Sequence, residues 1–216
     1  MAIYTKRVID NISPPKSLSG LLPDAFSEWY FTENCIDHEV ATEDCELCDQ
    51  ERLRYHFEIK NRNTDYRLWV GSSCILKFEV QVFERGVLLN ASESKKKLNR
   101  LTRQMRLNSC IKALTELADK ENNNILKNAL KYYVRNGSLT PKLAFVVLWR
   151  LKENDIDHSP SFFKVTIQKR VHKENLADME ESRVHTIWQA LSGAQRKTAV
   201  ELGHSPPKTT AHDKSL

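Results

Sequence analysis

Leu53, Tyr55, Phe57 and Ile59 alternate with Arg54, His56, Glu58 and Lys60. After the turn-prone run Asn61-Arg62-Asn63-Thr64-Asp65, Tyr66, Leu68 and Val70 alternate with Arg67 and Trp69. Two period-two runs joined in this way predict a β-hairpin with an apolar inner face and an outer face offering Arg54, Lys60, Arg67 and Trp69. Gly71-Ser72-Ser73 ends the second strand, and Cys74 to Phe78 reads as a short helix. Upstream, residues 23–31 read as a short helix running into an aromatic strand that packs on the same module.

The period then changes. From Ser94, Lys96, Arg100, Arg103 and Arg106 fall on one face of a helix, with Leu98, Leu101 and Met105 opposite. Leu107, Ile111, Leu114 and Ala118 continue on what had been the basic side, which predicts a break near Asn108-Ser109 and a new N-cap there. Ile125, Leu126, Ala129, Leu130, Tyr133 and Val134 form the next stripe, stopped by Asn136-Gly137. Thr140-Pro141 supplies a cap and first-turn proline for a helix carrying Leu143, Val147, Leu148 and Leu151. A short extended piece and helix follow from Ser161, then helices at 181–190 and 194–202, the last capped by Ser192.

The fold class is therefore α+β, a small β-hairpin module followed by a mainly helical lobe. The expected division is a flexible, Pro/Ser-containing lead-in at 1–22, the hairpin module at 23–90, a helical domain at 91–203 and a disordered tail at 204–216.

Composition adds exclusions. The chain has 216 residues, 40% hydrophobic and 28% charged, ordinary for a folded domain. Its longest apolar run, Leu143 to Trp149, falls well short of the roughly 20 residues that span a bilayer, and no apolar leader follows the basic start. A cytoplasmic protein with no membrane partner is the expectation. Six glycines leave no Walker-type or dinucleotide-binding loop, and no small-molecule substrate can be named. The net charge of +5 hides a polarity: residues 1–50 hold 3 basic and 10 acidic residues, residues 51–150 hold 20 and 9.

Five cysteines, with no export signal, suit metal binding better than disulfides. Cys45-Glu46-Leu47-Cys48 is a turn that presents two thiolates to one ion, and Cys74 at a helix start is favoured as thiolate by the helix dipole. Such a site would hold one structural Zn2+. The fourth ligand is open between Cys35, which would complete an all-thiolate set, and His38, with His56 third. Cys110, among apolar neighbours at helical spacing, reads as core. Asp155, Asp157 and His158 read as an acidic loop as readily as a metal site.

The knuckle, the strand Arg54 to Asn61 with its Ile59-Lys60-Asn61 ending, and Val70-Gly71-Ser72-Ser73-Cys74 together resemble a treble-clef-like zinc module of uncharacterised bacterial and phage or mobile-element proteins. The resemblance covers roughly residues 25–80. It implies zinc binding and a role in handling nucleic acid. The chain departs from that pattern at Asp49, where the module has glycine.

Three functional classes follow. The first is a non-enzymatic zinc-stabilised protein that contacts nucleic acid through Arg54, Arg67, Trp69, Lys96, Arg100, Arg103 and Arg106. The bland alternative for the same residues is a solvated charged face, with Trp69 packed beneath a neighbour. The second is a protein–protein adaptor or regulator in a phage or mobile-element system. The third is an enzyme, which lacks support: the chain has no His-Glu-x-x-His, no Gly-x-Ser-x-Gly and no deaminase signature. A zinc with four protein ligands has no place for a water, whereas an open three-cysteine site would restore the enzyme reading.

Overall fold

The computed structural model describes residues 5–48 and 50–208. Asp49, residues 1–4 of the expected lead-in and residues 209–216 of the expected tail lie outside them. The fold is α+β, and the chain forms two compact units, Met1–Arg106 and Leu107–Leu216.

The first unit is built on a three-stranded antiparallel sheet of β1 (Trp29–Asp37), β2 (Tyr55–Asn61) and β3 (Arg67–Val70), in the order β1-β2-β3. β2 and β3 are the predicted hairpin, registered from Phe57↔Val70 to Lys60↔Arg67. β1 is the aromatic strand; its pairing with β2 runs from Trp29↔Asn61 to Asp37↔Tyr55, broken by a bulge between Phe31 and Cys35. Phe31, Phe57, Ile59, Leu68 and Val70 are buried in one core with Phe26, with Ile75 of α2 (Ser72–Lys77) and with Phe78. Phe26 and Phe78 stack with their centroids 5.0 Å apart. A small hairpin, β4 (Phe83–Glu84) and β5 (Val87–Leu88), turns at Arg85-Gly86.

The residues read as a flexible lead-in are tied down. Lys6–Ile12 form α1, capped by Thr5, and Val8 and Ile12, four residues apart on one face, are buried. Beyond it, Ser17 accepts hydrogen bonds from the Trp29 indole (2.8 Å) and the Asn61 amide (3.3 Å), while the Glu28 carboxylate accepts from the amides of Leu18 and Ser19. The prolines and serines that suggest flexibility instead shape a segment held by buried polar groups.

The predicted helix break is absent. α3 runs unbroken from Ala91 to Lys120, and the division between units falls inside it rather than at its start. The shift in apolar phase marks a change of core, which removes the need for a break. Leu98, Leu101 and Met105 pack in the first unit's core, Cys110, Leu114 and Ala118 in the second's.

The second unit contains α4 (Asn124–Asn136), α5 (Pro141–Glu153), α6 (Arg170–Ala177), α7 (Glu181–Ile187) and α8 (Gly193–Glu201). The predicted boundaries are present: Gly137 adopts the left-handed φ of 64° at the end of α4, Thr140 caps α5 with Pro141 in its first turn, and Ser192 and Gln195 form a capping box on α8. Val165 bridges Leu139 in an extended segment before α6. Residues 204–208 depart from the expected disordered tail. His204 is buried with Nε2 2.7 Å from the Leu176 carbonyl, and Ser205 is held by Glu181 (3.1 Å) and His185 (3.0 Å).

No helix among the described residues is long and apolar enough to cross a membrane.

Candidate functional site

Cys45, Cys48 and Cys74 meet where the knuckle lies against the start of α2. Their sulfurs all lie within 4.8 Å of one another, Cys45 3.6 Å and Cys48 3.2 Å from Cys74. None is in a disulfide. Four thiolates at a Zn–S distance of about 2.3 Å sit about 3.8 Å apart along a tetrahedral edge, so the spacing matches three corners around one ion. The knuckle is held from two sides. The Cys45 amide donates to the Gln50 carbonyl at 3.0 Å, and Glu46 exchanges backbone and side-chain hydrogen bonds with Trp69 of β3.

One of the three sulfurs is favoured as a thiolate. The hydrogen bond from Cys74, together with the amides of Gly71, Leu47 and Cys48, outweighs burial and pulls the Cys45 thiol down to about 5; Cys74, sharing that bond and buried, is pushed up. A cation bound by the cluster would stabilise thiolates over thiols. Gly71 is closely packed: a Cβ there would stand 3.2 Å from Leu53 Cδ1, so the leucine side chain would have to give by a few tenths of an ångström. The cluster can hold a metal ion, and it is the only grouping of at least three such ligands among the described residues.

Neither expected fourth ligand joins it. Cys35 lies on β1 opposite Phe57, its thiol directed at the Glu33 carbonyl (3.6 Å) and pushed up to about 11 by burial and by Glu33. His38 Nε2 lies 3.2 Å from His56 Nδ1, so the two histidines engage each other instead. Both expectations came from donor chemistry, but Cys35 is set on β1 against Glu33, and His38, just past the end of that strand, engages His56. Asp49, the departure from the resembled module, is outside the described residues.

The outer face of the sheet is less cationic than its alternation suggests. Arg54 grips Asp37 through Nε at 2.8 Å and Nη2 at 3.1 Å. Arg67 donates to Glu58 at 2.9 Å, where Thr32 (2.7 Å) and Asn34 (2.8 Å), re-aimed by the β1 bulge, also converge. Burial alone would raise the Glu58 carboxyl; these three partners hold it below its ordinary range. Trp69 is half-buried, its ring centroid 6.5 Å from that of His56.

The cations of α3 are placed differently. Lys96, Arg100 and Arg103 are exposed, Arg106 is half-buried, and Arg100 pairs with Glu84 at 2.5 Å. Lys97, by contrast, is buried and bonded to Glu33 and the Phe83 carbonyl, which fixes the β4–β5 hairpin to the helix.

No family model, curated protein or solved structure matches this chain.

Proposed function

We propose that Cys45, Cys48 and Cys74 hold one structural Zn2+ in a treble-clef-like, non-enzymatic module, and that the module contacts nucleic acid through the start of α3. The observation that carries the second half is charge: Lys95, Lys96, Arg100, Arg103 and Arg106 reach the surface of α3 wholly or in part, with no acidic residue between Lys95 and Arg106, while Lys97 is buried against Glu33 and takes no part. A helix face of this kind meets phosphates rather than base edges, so little sequence is read. Arg54 and Arg67, already paired with carboxylates, contribute position more than free charge.

Anisotropy titrations of labelled single-stranded and duplex oligonucleotides test this. Affinity is expected to fall steeply between 50 and 200 mM salt, as about 0.9 counterions per phosphate contact predicts. The double variant Lys96→Glu/Arg103→Glu is expected to flatten the log–log salt slope by about 2. Binding that is indifferent to salt, or to the double variant, counts against the proposal.

A further inference from the structure

The second unit contains a cavity of about 720 Å³ between the end of α5, the α7 region and the chain after α8. Three cations line it, Lys152, Arg196 and Lys208, together with the imidazoles of His158 and His185, and among the described residues no carboxylate does. Neither Lys152 nor Lys208 has an ion-pair partner among the described residues, and both are exposed. Arg196 donates to the Trp188 carbonyl at 3.0 Å and the Gln189 carbonyl at 3.4 Å, contacts that aim the guanidinium without neutralising it. His185 lies 3.6 Å from Glu181, whose carboxylate also accepts from the Ser205 amide and so holds the closing segment in place.

Three positive charges around one mouth repel one another unless an anion joins them. Leu148, Trp188 and Pro207 supply an apolar wall on the same cavity. The volume lies within the range of about 300–1,000 Å³ typical of small-molecule sites. Cations beside an indole and prolines match a ligand with phosphate at one end and a flat ring at the other.

We propose that this cavity binds a phosphorylated ligand of nucleotide size, its phosphates held by Lys152, Arg196 and Lys208 and its ring against Trp188. Its lining residues all belong to the second unit and include neither the cations of α3 nor the three cysteines.

Titration calorimetry on the full chain, with ADP, inorganic pyrophosphate and adenosine as probes, tests it. ADP is expected to bind at one site, more tightly than pyrophosphate or adenosine. Lys152→Glu and Lys208→Glu are each expected to weaken ADP binding by about tenfold or more, the scale of a lost charged hydrogen bond. Both lysines are exposed, so unchanged thermal melts are expected to show that these variants fold. Lys96→Glu/Arg103→Glu is expected to leave ADP binding intact. The proposal is overturned if ADP and pyrophosphate fail to saturate at low salt, or if both lysine variants bind ADP as the wild type does. Pyrophosphate binding as tightly as ADP removes the ring-binding half. Binding of a single-stranded oligonucleotide that is lost in Lys152→Glu, with none of ADP, overturns the small-ligand assignment.

Discussion

Replacing Cys45 by Ser is expected to strip the metal from the protein and to unfold the region between β1 and β2. The described residues between 38 and 54 contain no helix or strand of their own; Glu43 and Leu53 form an isolated bridge, and the Cys45 amide donates to the Gln50 carbonyl. Yet Cys45 and Leu47 are fully buried. Burying an irregular loop leaves few hydrogen bonds to offset its lost conformational freedom, about 1–2 kcal/mol per ordered residue. A structural zinc supplies on the order of 10–16 kcal/mol in small metal-dependent folds, comparable with the whole net stability of a domain. Cys48→Ser and Cys74→Ser are expected to behave like Cys45→Ser. Cys35→Ser is expected to retain the metal, because that thiol faces Glu33. Cys110→Ser is also expected to retain it, since Cys110 lies in the other core and bonds to the Asp157 carbonyl. Elemental analysis of purified protein, paired with limited proteolysis between residues 38 and 54, reads both effects. Metal-free wild type together with a protease-resistant Cys45→Ser would remove the staple altogether.

What the sequence made legible was local. The hairpin is written in a strict period of two, the knuckle in a four-residue spacing, and the ends of α4, α5 and α8 in caps that bond within three or four residues. What it hid lies in polar contacts between distant segments. Asp37 takes Arg54 and Glu58 takes Arg67, so a strand face that counts as basic by composition is neutral in place. The three thiols converge because the knuckle and the start of α2 are both fixed to β3, whereas Cys35 on β1 meets the Glu33 carbonyl and His38 just beyond it meets His56, which donor chemistry alone could not reveal. The continuity of α3 was hidden for another reason. A change of apolar face looks like a break when a single core is assumed, and becomes ordinary when each half of the helix serves its own unit. The cationic cavity was invisible because its residues come from separate segments, none of them a motif.

Acidification is expected to loosen the first unit through Glu28, the carboxylate that anchors the segment before β1. Burial alone would push its carboxyl up, but the Leu18 and Ser19 amides and the Asn61 and Asn63 side chains outweigh this and hold it at about 2, against an ordinary 4.5. A carboxyl whose pKa is lowered on folding stabilises fully above its unfolded pKa, and that contribution is lost as pH falls through the folded value. The window is therefore from about 4.5 down to about 2. The same carboxylate joins three parts of the chain, since Leu18 and Ser19 come from the segment after α1, Asn61 ends β2, and Glu28 itself precedes β1. Glu28→Gln keeps the shape and one acceptor but turns the other oxygen into a donor facing amide N–H groups. It is expected to cost about 1–3 kcal/mol, as for a buried donor left unsatisfied. Its melting temperature is also expected to vary less than the wild type's between pH 4.5 and 2, which separates this carboxyl from the other acids that titrate there. Equal pH dependence in the two proteins would place the acid sensitivity on other groups. A loss confined to near-ultraviolet signal, with Trp29 freed from its bond to Ser17, would locate the loosening at this junction.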